Sequence, residues 1–206
     1  PDRGSVFVDE EDITGLNEHQ LFRIRKKFGF LFQGSALFDS LTVGENVGLG
    51  LKERSTFLPE EIQNIIHEKL SMVGMAGIED IMPAELSGGM KKRVGLARAI
   101  AMEPEIVLYD EPTTGLDPIM ADSINELMLF LKHELQITSV VVTHDITSAR
   151  KVGDRIAMLH NGEIIFSGTI SELDLTDDSI VRQFIEGRSE NSMKLLIKKN
   201  ISEKEG

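Results

Sequence analysis

The run Ile106-Val107-Leu108-Tyr109 stops abruptly at Asp110-Glu111-Pro112. Four consecutive apolar residues closed by two acids read as a buried strand that delivers carboxylates at its carboxyl end. Two further segments have the same form. Gly29 to Phe32 is apolar throughout and ends at Gln33; Ser139 to Val142 is β-branched and ends at Thr143-His144-Asp145. Helical periodicity lies between them. Met90, Val94, Ala97 and Ala101 form a stripe over Gly88 to Met102, with Lys91 and Arg98 on a different face. Met120, Ile124, Leu127, Met128, Leu131 and Leu135 mark a longer helix over Ile119 to Leu135. Strands that alternate with helices favour an open, mainly parallel α/β sheet. Ligands on such sheets sit beyond the carboxyl ends of the strands, so Gln33, Asp110-Glu111 and His144 are candidates for one site.

The flanking segments are less constrained. Val6-Phe7-Val8 is a short strand after a turn. Ser35 to Leu51 is apolar but dotted with Gly44, Gly48 and Gly50, which predicts loops and short helical turns. Pro59 to Val73 is a helix, with Pro59 in its first turn and Ile62, Ile65, Ile66, Leu70 and Val73 on one face. Thr147 to Val152 is a short helix. Asn161-Gly162 joins Ile156–Leu159 to Glu163–Phe166 in a hairpin, because both turn positions accept positive φ. Asp178 to Ile185 is a last short helix. The expected organisation is one domain over 1–186, with a helical subdomain at about 34–100, and a flexible polar tail over 187–206.

Composition removes several functions. The formal charge is −12, from 34 acids and 22 bases, which argues against nonspecific nucleic-acid binding. With no cysteine there is no disulfide, thiolate metal site or cysteine nucleophile. No apolar run approaches the roughly 18 residues of a membrane span. Pro1-Asp2-Arg3-Gly4 shows neither a start Met nor a signal-peptide pattern. The expectation is a soluble, cytoplasmic chain cut from something longer.

Each candidate residue has an ordinary reading beside the chemical one. Paired acids after a strand suit Mg²⁺-nucleotide chemistry, where one carboxylate holds the hydrated metal and the next orients or deprotonates a water. The same acids are also what a solvated strand end looks like. Leu86-Ser87-Gly88-Gly89-Met90 opens a helix. Ser87 can cap it, and the glycines let a phosphate approach free backbone N–H groups; an ordinary cap with flexible glycines fits as well. His144 can donate to a terminal phosphate, although a lone His is usually structural or exposed. Gln33 alone is weaker still. Asp117 stands before Pro118 at a helix start, where a carboxylate is expected on structural grounds.

Taken together in this order and at these spacings, the features are far more specific. From Gln33 to His144 the chain resembles the nucleotide-binding subunit of ABC transporters, over most of its length. The resemblance implies a P-loop NTPase-like ABC ATPase fold, a mainly parallel sheet with a helical subdomain. It assigns Gln33 to the Q-loop, Ser87, Gly88 and Gly89 to the signature motif, Asp110 and Glu111 to Walker B, Asp117 to the D-loop and His144 to the H-loop. Glu111 would be the general base, Asp110 would act on Mg²⁺ through water with Gln33 at the same metal, and His144 would touch the γ-phosphate of ATP. Two such subunits would sandwich two ATP molecules, so Ser87 and Gly89 would serve the nucleotide held by the partner. Transmembrane permease subunits, and lipid-binding proteins beyond them, are the implied partners, with nucleic acid excluded. The implied location is the cytoplasmic face of the bacterial inner membrane.

Two departures stand out. The usual signature ends in Gln, whereas this one has Met90. The Walker A loop needs Gly-x4-Gly-Lys-Ser/Thr, and no Gly-Lys dipeptide occurs here. The expectation is a chain that begins just after the P-loop and its helix, lacks the aromatic that stacks on adenine, and by itself binds ATP poorly. Leu31 to Val43, the Met90 signature and Pro112 to Met120 are similar to the Mla-type ATPases, which drive phospholipid traffic between the membranes of Gram-negative bacteria. An importer ATPase for amino acids or another small solute is the alternative within the fold. A non-catalytic regulatory module is a further one, against which an intact Glu111 and His144 speak. DNA-repair members carry a long coiled coil between Q-loop and signature, but Gln33 and Leu86 are only 53 positions apart. Translation members usually carry two such domains.

Overall fold

The β-branched and apolar runs do form strands, and the residues after them meet at one sheet edge. The computed structural model describes residues 1–53 and 57–188. It divides into two compact units, Pro1–Val152 and a second from Gly153 onward. The first unit opens with a two-stranded antiparallel ribbon, β1 (Phe7–Val8) and β2 (Glu11–Asp12), followed by helix α1 (Glu18–Arg25). Only Ile24 of α1 is buried, so the helix shows no apolar stripe in sequence. A capping box starts it: the Asn17 side chain accepts from the Gln20 N–H, and the Gln20 side chain accepts from the Asn17 N–H.

Then come β3 (Phe28–Leu31), α2 (Val43–Glu53), α3 (Pro59–Met72), a short 3₁₀ turn at Pro83–Glu85, α4 (Gly88–Ile100), β4 (Ile106–Asp110), α5 (Pro118–Leu135), β5 (Thr138–Val142) and α6 (Ile146–Val152). β3, β4 and β5 form a parallel sheet in that order. Leu31 pairs with Tyr109, and Tyr109 with Val141. All three carboxyl ends therefore lie on one edge, as the sequence predicts.

The sheet face carrying Leu31 and Tyr109 is closed, each being at most 1% exposed. Helix α4 packs on β3 so tightly that a Cβ at Gly29 would stand 2.2 Å from the Ala99 carbonyl oxygen. Glycine is the residue that permits this approach. The opposite face differs from the expectation of strands buried throughout. Phe30, Val140 and Val142 are 38%, 49% and 60% exposed, and the Phe30 and Phe32 rings lie 4.3 Å apart. Alternate residues of a strand point to opposite faces, so an unbroken apolar run does not by itself establish that both are covered.

The segment 35–51 also departs from its expectation. Residues 35–42 are irregular, but Val43–Glu53 is a regular helix. Val43, Val47 and Leu51 of α2 and Ile62, Ile66 and Leu70 of α3 are buried in the same core. A Cβ at Gly48 would come 2.7 Å from Ile66 Cδ1, so this glycine is a close-packing position rather than a helix breaker. Burial of three apolar side chains outweighs the intrinsic cost of helical glycine, about 1 kcal/mol each.

In the second unit, β6 (Arg155–His160) and β7 (Glu163–Thr169) form the expected antiparallel hairpin, with φ of 49° at Asn161 and 85° at Gly162. Helices α7 (Ile170–Leu175) and α8 (Ser179–Glu186) follow. Thr169 caps α7 and Asp178 caps α8; Leu173 and Val181 are buried. Helix α7 is an element that periodicity did not predict. Residues 189–206 of the expected tail lie outside the described residues. No helix among the described residues is long and apolar enough to cross a membrane.

Candidate active site

Strand β4 ends in Asp110, and the next residue leaves the strand in a left-handed turn: Glu111 has φ 47°. A non-glycine residue there is strained and persists only where its surroundings hold it. The Glu111 N–H donates to the Val142 carbonyl at 2.9 Å, continuing the β4–β5 ladder by one step. Its Oε1 accepts from the His144 backbone N–H at 3.1 Å and lies 2.8 Å from His144 Nδ1. Its Oε2 accepts from the Thr114 hydroxyl at 2.8 Å. The carboxylate is thus gripped from two sides, with a side chain only 17% exposed.

Burial pushes the Glu111 carboxyl up, but the hydrogen bonds from His144 and Thr114, and the imidazole charge, hold it below its ordinary value of 4.5. The hydrogen bond to Glu111, then its charge, raises His144 above 6.5. Glu111 therefore contributes stability above the carboxylate range, lost as pH falls through its folded value. His144 contributes stability below about 6.5, lost as pH rises through its raised value. The pair is fully formed only between these limits. Because the His144 side chain is 73% exposed, salt screens the interaction. Replacing Glu111 by Gln is expected to return the His144 titration midpoint toward its ordinary value, as read from imidazole NMR shifts against pH. An unchanged midpoint would mean that the pair does not form in solution.

Behind the pair lies a polar chain that sequence reading missed. Asp145 Oδ2 accepts from the Ser148 hydroxyl at 2.6 Å, and the Ser148 oxygen accepts from Asn125 Nδ2 at 2.9 Å. Thr113 Oγ1 is 3.4 Å from the same oxygen. Asn125 and Ser148 are 3% and 1% exposed, so the chain braces the start of α6, just after His144, against α5. Thr114, Leu116, Asp122, Asn125, His144 and Asp145 line an open cleft of about 430 Å³.

Gln33 follows β3 on the same edge, with its side chain exposed. Its main-chain carbonyl, with that of Glu111, accepts from the buried ammonium of Lys92. Burial lowers the Lys92 pKa, and the charges of Asp110 and Glu111 oppose that shift. Lys92 was not singled out in the sequence. Glu111 and His144 are therefore in contact, and Gln33 and Asp110 lie on the same sheet edge.

The glycine motif and Asp117 lie at the starts of α4 and α5. Ser87 caps α4 by accepting from the Met90 N–H at 3.3 Å. Gly88 faces Leu116, and a Cβ at Gly89 would stand 2.3 Å from Met120 Cε, so this motif meets α5 and the loop before it. Asp117 caps α5, accepting from the N–H groups of Ile119 and Met120 at 3.0 and 3.1 Å.

Comparison with known proteins agrees with this geometry. The family model described as ABC transporter matches residues 1–114. The chain is 40% identical over 188 residues to a probable ribonucleotide transport ATP-binding protein, mkl, of Mycobacterium tuberculosis, covering 91% of this chain and 52% of that protein. It is 38% identical over 195 residues to the intermembrane phospholipid transport system ATP-binding protein MlaF of Haemophilus influenzae, covering 94% and 74%. The chain thus spans about half the length of the first of these relatives. Among solved structures, a dimeric ATP-binding cassette in a post-hydrolysis state with ADP and phosphate superposes with a TM-score of 0.74 at 38% identity, covering 82% of this chain and 75% of that one. Three parallel strands with their polar ends on one edge, the fold of such cassettes and a family match over more than half of its residues show that this chain belongs to the ABC transporter family.

Proposed function

We propose that the full-length protein is the ATP-binding and ATP-hydrolysing subunit of a transporter that moves phospholipid between membranes. The observation that carries the enzymatic part is the Glu111 carboxylate, held at a strand end by His144 and Thr114 and depressed in pKa, so that it is ionised at neutral pH. Glu111 takes the proton of the attacking water as general base. His144 orients the terminal phosphate through its ring. Ser87, Gly88 and Gly89 open α4, and by the family resemblance they serve the nucleotide of a second subunit; Asp117 caps the neighbouring α5. The carboxylate of Asp110 and the amide oxygen of Gln33 are hard donors on neighbouring strand ends, the chemistry Mg²⁺ prefers. When bound, Mg²⁺ neutralises charge on the phosphates.

The helical layer of α2, α3 and α4 supports the reading of residues 34–100 as a subdomain that meets permease subunits at the cytoplasmic face of the inner membrane. The phospholipid cargo rests on the likeness to MlaF and on the run from Leu31 to Val43. The likeness to mkl, a probable ribonucleotide transport protein, favours a second reading, transport of a small solute such as a ribonucleotide. The two separate in vesicles holding the full-length protein and its permease. The expected result is ATP-dependent movement of labelled phospholipid between membranes. Uptake of labelled ribonucleotide without lipid movement would replace the cargo, and absence of Mg²⁺-dependent ATP turnover would overturn the enzymatic reading.

A further inference from the structure

Lys92 is 5% exposed, on the face of α4 that packs against the sheet. A buried ammonium is costly unless its donors are used. Its Nζ donates to the main-chain carbonyls of Gln33 and of Glu111, the latter at 3.1 Å. Leu31 and Tyr109 are paired across β3 and β4, so Gln33 and Glu111 stand level, two residues further on. There the strand ladder has ended, and the ammonium supplies the donor that the next backbone would have supplied.

Arg98, six residues along α4, donates to the carbonyls of Ser35 and Ala36 at 2.5 and 2.7 Å. Both residues have positive φ, at 63° and 44°. Helix α4 therefore grips the loop after β3 at the carbonyls of Gln33, Ser35 and Ala36, but of Lys92 and Arg98 it is Lys92 that also reaches Glu111. At Glu111 the consequence is specific. The N–H is fixed by Val142 and the carbonyl by Lys92, so the left-handed backbone that aims the carboxylate is pinned on both sides.

We propose that Lys92 is a positioning residue for hydrolysis: by bridging the Gln33 and Glu111 carbonyls it holds the loop after β3 and the main chain of the base in one register with helix α4. The inference rests on the function proposed above. The side chain of Lys92 need touch neither nucleotide nor water. It acts through Glu111, and a base displaced by a fraction of its hydrogen-bond reach loses rate rather than substrate affinity.

The test uses the full-length protein in three forms. Lys92→Met removes the donors and keeps an unbranched chain. Lys92→Arg keeps a buried cation able to donate to two carbonyls. Lys69→Met removes another buried lysine, 2% exposed and paired with Glu68 and Glu103 on a different surface. Lys92→Met is expected to lower kcat for ATP about tenfold with KM changed less than about twofold. Lys92→Arg is expected to recover most of that loss, and Lys69→Met to lower Tm with kcat intact. Hydrogen exchange of peptides covering 31–36 and 109–114 should accelerate about tenfold in Lys92→Met, with 62–72 unchanged. Unchanged kcat, a rise in KM alone, or an Arg variant as slow as Met overturns the proposal. If even the wild type lacks ATP turnover, the proposed function fails. Exchange then decides about Lys92: wild-type rates in both peptides refute the bridge, and acceleration confined to them upholds it.

Discussion

Replacing Glu111 with Gln in the full-length protein lowers steady-state ATP turnover by about 10²-fold or more, while ATP binding and nucleotide-dependent dimerisation persist. The size of the effect follows from what the amide keeps and what it loses. Glu111 sits at φ 47° because its own N–H bonds Val142 and its carbonyl bonds Lys92, and neither contact uses the side chain. The amide has the shape of the carboxylate, and its oxygen can still accept from His144 or Thr114. What disappears is the anionic oxygen that takes a proton from water, a group whose depressed pKa keeps it ionised throughout the neutral range. A rate within a few-fold of wild type, measured alongside unchanged ATP affinity, would remove Glu111 from the role of base. Loss of ATP binding together with rate would instead mark it as a binding residue.

How much of this arrangement was legible depends on which force sets each element. The strands and the long helix α5 announce themselves because one strong term, burial of a periodic apolar face, decides them; Ile124, Leu127, Met128 and Leu131 are all buried. The alternation of strands and helices then fixes that Gln33, Asp110-Glu111 and His144 share an edge. Helix α1 stayed hidden because a single buried residue, Ile24, gives no period, although the Asn17-Glu18-His19-Gln20 capping box was a readable signal. Helix α2 was masked by glycines whose purpose, contact with Ile66 and Glu79, exists only in the folded state. Lys92 was lost in the run Lys91-Lys92-Arg93, which looks like a solvated basic patch. Its spacing of four and seven to the buried Leu96 and Ala99 puts it on the sheet-facing stripe, and that pattern would have found it. The left-handed turn at Glu111 had no local signal, since it is imposed by β5 through the Val142 carbonyl.

The membrane partner supplies the second large effect. By the family resemblance and the function proposed above, Phe38, Leu41, Val43, Val47, Leu49 and Leu51 are candidates for a groove that receives a cytoplasmic helix of the permease. The structure sorts them: Val43, Val47 and Leu51 are buried, Leu41 and Leu49 are half-buried, and Phe38 is 52% exposed. Phe38 is also held still. Asn46, fully buried, accepts from the Phe38 N–H at 2.7 Å and donates to the carbonyls of Phe38, Leu41 and Thr42 at 2.9 to 3.1 Å. An irregular loop is thereby given a fixed backbone and presents one large apolar ring outward. An aromatic anchor on a rigid frame loses little entropy on binding, so its contact energy is retained as affinity. Phe38→Ala in the full-length protein is expected to weaken permease association by about 2 kcal/mol or more, roughly thirtyfold, with nucleotide affinity unchanged. Co-purification with the permease, titrated against detergent-solubilised complex, reads the first quantity, and calorimetry with MgATP the second. Leu41→Asp also weakens assembly, but it places a charge in a half-buried position and lowers Tm as well, so Phe38→Ala is the cleaner measurement. Wild-type assembly by a folded Phe38→Ala variant would place the permease contact elsewhere than on this loop.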